Sequence, residues 1–165
     1  MRKIEQLAAM CTLAVVATAT FTANAKTCTW TVQGGNWADS ANWADGILPE
    51  AGDDVALVGS GGAGGNILLE GATTVALSAI SNTAAGSGWT FTNGTVNLAA
   101  GTVVMDNVGT LQFRAQLASS DATTFVKRGA GTLNLYATNT ALNCSFALED
   151  GRMMLMDDLS LGAVS

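Results

Sequence analysis

The sequence predicts an all-β chain in which the coils of a β-solenoid stack behind a small Trp-rich N-terminal cap. Three observations carry this expectation. Short β-prone runs alternate apolar with polar residues, glycine and asparagine punctuate them, and one glycine-led pattern recurs along the chain. No stretch shows helical periodicity.

The recurrent pattern is a glycine turn followed by alternating residues. It reads Gly94-Thr95-Val96-Asn97-Leu98, Gly101-Thr102-Val103-Val104-Met105, Gly109-Thr110-Leu111-Gln112-Phe113, Gly131-Thr132-Leu133-Asn134-Leu135 and Gly151-Arg152-Met153-Met154-Leu155. A period of two sends Leu111 with Phe113, and Leu133 with Leu135, to one face, with Gln112 and Asn134 on the other. The last three copies begin 22 and 20 residues apart. That period fits one three-sided coil stacked on the next. Glycine is expected at the corners because tight turns need backbone angles that a β-carbon resists. Asn82, Asn93, Asn107, Asn139 and Asn143 lie in similar turns, where a left-handed backbone or a side-chain ladder between coils would suit them.

Upstream, residues 26–58 hold three of the four tryptophans and form the expected cap, followed by solenoid repeats over 59–165. The cap centres on Gly34-Gly35-Asn36-Trp37-Ala38-Asp39-Ser40-Ala41-Asn42-Trp43. Gly46 and Pro49 then turn the chain towards a strand at Val55. Trp37 and Trp43 can pack as a small core or expose a platform for stacking on sugars, and both readings stand at this point.

Residues 1–25 read as a signal peptide. Arg2 and Lys3 precede an apolar run from Leu7 to Phe21, and Ala23-Asn24-Ala25 offers small residues where a signal peptidase needs them. Cleavage is expected between Ala25 and Lys26. Cys11 lies inside the apolar run behind Ala8-Ala9-Met10, a poor match to a lipidation signal. No later stretch approaches the roughly 18 apolar residues of a membrane-spanning helix. The chain is therefore expected to be exported, to the periplasm, cell surface or medium.

After cleavage the basic residues are Lys26, Arg114, Lys127, Arg128 and Arg152, against twelve acids. An acidic chain without a basic stripe argues against nucleic acid and against an electrostatic membrane dock. Histidine is absent, which removes the commonest general base and metal ligand. Cys28 and Cys144 would reach an oxidising compartment, making them a candidate disulfide; two free thiols, with Cys144 buried, are the alternative.

Val126-Lys127-Arg128-Gly129-Ala130-Gly131-Thr132-Leu133-Asn134-Leu135, with Asn139, Gly151 and Leu159-Ser160-Leu161-Gly162 behind it, resembles the autotransporter-associated β-strand repeat. That repeat runs Lys-x-Gly-x-Gly-Thr-Leu-x-Leu, then Asn, a Gly-x-Leu strand and a closing Leu-Gly. The Asn-Trp, Asn-Trp, Pro, Gly-Asp-Asp-Val block is similar to the segment that opens such regions in large secreted bacterial proteins. The resemblance covers about half of the chain after residue 25. It implies a right-handed parallel β-helix engaged in display, adhesion or scaffolding and says little about activity; no catalysis and no cofactor are expected. The chain departs from the pattern at Gly151-Arg152-Met153, and it carries one clear full-length repeat. It reaches Ser165 where the family continues, and it lacks the alternating strands of an outer-membrane barrel. The expectation is a piece of a longer passenger, or a short relative whose last coil pairs with another chain through its open edge.

Two chemical readings compete with a structural role. The acid pairs Asp53-Asp54, Glu149-Asp150 and Asp157-Asp158, with Arg114 or Arg152 as cationic partner, could serve glycoside cleavage. Adjacent acids on a strand point to opposite faces, however, and acids beside glycine are usually solvated turns. Gly61-Gly62-Ala63-Gly64-Gly65-Asn66-Ile67-Leu68-Leu69 resembles one calcium-binding β-roll nonapeptide, with neutral Asn66 where a carboxylate is needed, and reads instead as a flexible turn. Serine-nucleophile, phosphate-loop and zinc motifs are absent from the sequence. What remains is a structural or adhesive surface module, or a carbohydrate-binding module using the cap tryptophans, with a surface glycan or protein as partner.

Overall fold

The computed structural model describes residues 25–70, 76–119 and 123–157. Residues 1–24 of the expected signal peptide and the closing Leu159-Ser160-Leu161-Gly162 lie outside these residues. The described residues form fourteen strands, all pairing in parallel, linked by turns and short 3-10 segments. The chain winds as a β-solenoid, as the period predicts.

The strands are β1 (Thr27–Trp30), β2 (Gly35–Asn36), β3 (Asp54–Leu57), β4 (Gly65–Leu68), β5 (Ala79–Asn82), β6 (Gly88–Thr92), β7 (Thr95–Leu98), β8 (Gly101–Asn107), β9 (Thr110–Phe113), β10 (Gln116–Ser119), β11 (Thr123–Arg128), β12 (Thr132–Leu135), β13 (Cys144–Leu148) and β14 (Arg152–Leu155). One six-stranded sheet runs β1-β3-β5-β8-β11-β13. A second runs β14-β12-β9-β6-β4-β2, and β7 with β10 forms a short third side. The segment expected as the cap, residues 26–58, supplies β1, β2 and β3, and its strands are continuous with both large sheets.

Register shows how the repeat is used. In the second sheet Ile67, Phe91, Phe113, Leu135 and Leu155 stand above one another, 24, 22, 22 and 20 residues apart. The five sequence copies therefore do not occupy one side. Those at Gly109, Gly131 and Gly151 stack in the second sheet, whereas the copy at Gly101 is β8 of the first sheet and that at Gly94 leads into β7 on the third side. The in-register predecessors of β9 are β6 and β4, in which Gly88 stands at the position of Thr110 and Gly65 at that of Leu111, obscuring the pattern.

Inward columns make the core. Trp89, Leu111 and Leu133 form one, and Phe91 stacks on Phe113 with ring centres 5.0 Å apart. In the first sheet Val55, Ile80 and Met105 are fully buried in sequence, then Lys127 takes the next inward position. On the opposite face Asn66, Thr90, Gln112 and Asn134 line up in register, with Asn134 buried. Coil stacking thus buries apolar columns and leaves mostly polar ones outward, as the alternation predicts.

The corner between the first and second sheets meets expectation in part: Gly86, Gly129 and Gly151 take the left-handed backbone. Gly109 and Gly131 do not adopt the left-handed backbone assumed for corner glycines. A β-carbon on Gly131 would instead collide with the Gly109 carbonyl oxygen, and one on Gly109 with that of Ser87. Close coil-to-coil approach, rather than turn geometry, demands glycine here. Among the asparagines, only Asn93 takes a positive φ, 61°. Asn82 and Asn107 are register partners buried at the corner, and Asn139 is buried on the third side, where its Oδ1 accepts from the Leu117 amide at 2.7 Å.

This geometry separates two glycine substitutions. Gly131→Ala should lower stability by about 1–3 kcal/mol through overpacking. Gly88→Ala meets nothing within 4 Å and has no unusual backbone angle, and should lie within about 0.5 kcal/mol of the parent. Urea unfolding of both checks this, and equal effects would contradict the close-packing account.

Candidate functional site

Three groupings of side chains could carry chemistry: the tryptophan cluster, the acids around Asp53, and the buried polar corner. In the first, Asp39 caps a 3-10 turn over Ser40–Asn42 by accepting from the Ala41 amide at 3.0 Å. This turn brings Trp43 back onto Trp37. The two indoles meet edge to face at 4.7 Å, Trp30 packs against both, and the Trp43 Nε1–H donates to the Trp37 carbonyl at 2.9 Å. Trp37 and Trp43 are only 6% and 3% exposed. Neither presents an indole face to a sugar ring, so the cluster acts as core, the alternative kept open above. Trp30, which the pattern did not single out, is its fully buried member.

Asp53 is the most enclosed carboxylate among the described residues, at 5% exposure. It precedes β3 and faces the start of β1. Its Oδ2 accepts from the Glu50 amide at 2.7 Å, its Oδ1 from the Lys26 amide at 3.2 Å, and the Lys26 ammonium lies 3.4 Å from Oδ2. Burial alone would raise its pKa, but these donors outweigh burial and hold the carboxyl below its usual range. A lowered folded-state pKa means that ionised Asp53 stabilises the fold above the ordinary carboxylate range. That contribution is lost as pH falls through the lowered value. Asp54, shifted upward by burial and by neighbouring Asp53, occupies the outward register position beside Thr27. The pair is thus divided between the two faces of a strand.

The other acids are committed elsewhere. Glu149 pairs with Arg128 at 2.6 Å, and Asp150 accepts from the Gly151 amide at 2.7 Å in an exposed turn. Asp157 is exposed, and Asp158 lies outside the described residues. Arg114 sits over the Tyr136 ring, 4.3 Å from its centre. No group of three His, Cys, Asp or Glu with metal-holding geometry occurs among the described residues, and those residues enclose no pocket. The stretch read as a flexible turn, Gly61–Leu69, is corrected in part: Gly65–Leu68 is β4, with Ile67 and Leu69 fully buried and Asn66 outward.

The two cysteines are kept apart. Cys28 in β1 and Cys144 in β13 close opposite ends of the first sheet, five strand spacings or about 24 Å from each other. A disulfide needs α-carbons within about 7 Å, so both thiols are free. Burial raises both pKa values, Cys144 to about 11, with Asp53 adding to the effect at Cys28.

At the corner, Asn107 Nδ2 donates to the carbonyls of Gly109 and, one coil on, Thr132, at 2.7 and 3.0 Å. On that same next coil, fully buried Lys127 curls into the same region. Its ammonium donates to the carbonyls of Arg128, Gly129 and Asp150 at 2.5, 2.6 and 3.3 Å. Burial lowers its pKa, partly offset by Asp150 and Asp106. Composition had counted Lys127 only as a charge. Its position beside a Gly-x-Gly was the available signal for a structural role.

No family model, curated protein or solved structure matches this chain. Among the described residues, no helix is long and apolar enough to cross a membrane.

The buried indoles predict that Trp43→Ala costs about 3–5 kcal/mol of stability in denaturant unfolding. An unchanged unfolding curve, together with lost retention on a polysaccharide column, would restore the sugar-stacking reading.

Proposed function

We propose that this chain is an exported, non-catalytic β-solenoid module of the autotransporter-associated repeat type, serving surface display, adhesion or scaffolding. The observation that carries the reading is the use to which the repeat residues are put. Lys127 bridges corner carbonyls, Gly131 admits the neighbouring coil, and Leu133 and Leu135 fill the inward columns. Each residue of Lys-x-Gly-x-Gly-Thr-Leu-x-Leu that the resemblance names is matched by a position whose chemistry serves coil stacking. That leaves recognition to the outward columns of Thr, Asn and Gln, which favour a broad contact surface over a reaction centre.

The inward columns reach β13 and β14 with Leu148 53% and Leu155 44% exposed. Further coils of a longer passenger, or a second copy, would cover these side chains and pair the two strand edges. The acidic surface and the Ala23-Asn24-Ala25 signal favour an address outside the inner membrane and an uncharged or cationic contact such as a surface glycan or protein.

Fractionation and protease shaving of intact host cells test the assignment. The protein is expected outside the inner membrane without residues 1–25, and the purified chain should release no reducing ends or unsaturated products from acidic or neutral polysaccharides. A cytosolic product retaining Met1, or turnover of any of these polymers, would overturn it.

A further inference from the structure

Lys26 is the residue that the expected cleavage would leave first, and its backbone nitrogen is already engaged. That nitrogen donates to Asp53 Oδ1 at 3.2 Å, while the Lys26 carbonyl accepts from the Asp54 amide at 2.9 Å, which starts the β1–β3 ladder at Thr27 and Asp54. Asp53 is nearly excluded from solvent, and its other oxygen is held by the Glu50 amide. The cationic side chain within reach, that of Lys26, is itself 41% exposed and shared with Glu50 at 3.6 Å. A buried carboxylate is therefore aimed at a main-chain nitrogen, with a single partly solvated cation to balance it. Such a site gains most from a full positive charge placed on that nitrogen.

We propose that Asp53 is the receptor for the α-ammonium of Lys26 created by signal-peptide removal, so that maturation itself locks β1 onto β3. The inference rests on the cleavage reading given above. Hydrolysis of the Ala25–Lys26 peptide bond places the oxygen of water on the Ala25 carboxyl group, and the released Lys26 amine takes up a proton at neutral pH. A neutral amide with one N–H becomes a cation with three. Nothing else need move, because the nitrogen already lies within hydrogen-bonding distance of the carboxylate. The other titratable groups facing this point are the Lys26 ammonium, the exposed Glu50 carboxylate, the Cys28 thiol 3.8 Å from Asp53 Oδ2, and the outward Asp54. None supplies a second buried cation.

An amine that gains an anionic partner titrates higher in the folded state. The stabilisation is then complete below the ordinary α-amine pKa of about 7.7–8.0 and is lost as pH rises through the raised value. The unprocessed chain, with an amide at this position, has no such pH dependence.

The test compares a chain prepared to begin at Lys26 with the same chain acetylated at its α-nitrogen, each with Asp53 and with Asp53→Asn. At pH 7 the free amine should reduce the unfolding equilibrium constant about tenfold relative to the acetylated chain, the equivalent of one pKa unit. That difference should vanish in D53N and fade at high pH. If D53N does not fold, NMR titration of a 15N-labelled Lys26 α-amine in the parent chain decides alone, with an expected pKa about one unit above the ordinary value. Equal stability of free and acetylated chains, or an ordinary α-amine titration, overturns the ion pair. N-terminal sequencing of the exported protein judges the cleavage reading separately. A start at Lys26 supports the link to maturation, and any other start overturns that link whatever the stability data show.

Discussion

Where each coil turns from the first sheet to the second, backbone meets backbone with no side chain between. Gly131 lies against the Gly109 carbonyl, and Gly109 against that of Ser87. So close an approach concentrates peptide carbonyls in a region that the sheet ladders do not serve, and buried carbonyls must find donors. The chain meets this need from within. Asn107 spans two coils with one amide group, and Lys127 reaches three carbonyls with one ammonium. The same corner sets the register of both sheets, so the apolar columns align only if it forms.

This constraint explains why a lysine stands in an otherwise apolar inward column. Between Met105 and Leu148 an uncharged residue would pack more cheaply, and desolvation does depress the Lys127 pKa. The return lies in hydrogen bonds: a single ammonium serves a corner where several neutral side chains would not fit. At the opposite end of the solenoid the problem is different. There, among the described residues, no coil lies beneath the first, and Trp30, Trp37 and Trp43 pack together as three mutually contacting indoles.

Much of this architecture was legible in the residues because alternation and the glycine period are local signals that stacking then amplifies. Leu111, Phe113, Leu133 and Leu135 lie on the face their parity predicts. What the pattern could not show was which side of the coil a copy occupies, since Gly94, Gly101 and Gly109 begin near-identical strands on three different sides. Nor could it show which corner glycines serve coil-to-coil close packing, as Gly109 and Gly131 do, and which serve left-handed turns, as Gly129 and Gly151 do, because both demands select the same residue. The tryptophans were ambiguous for a related reason: an indole is equally suited to a core and to a sugar platform until its burial is known. The separation of Cys28 from Cys144, and the engagement of Asp53 by a main-chain nitrogen, depend on the stacking order and left no trace in composition.

If the corner is what the remaining packing depends on, its donors must carry measurable energy. The most direct measurement is equilibrium urea unfolding of Lys127→Met, which keeps the side chain's length and apolar stem and removes only the ammonium. The account predicts a loss of about 1–3 kcal/mol, from corner carbonyls left buried without donors. A K127M chain as stable as the parent, or more stable, would show that those carbonyls are satisfied without Lys127 and would contradict the account.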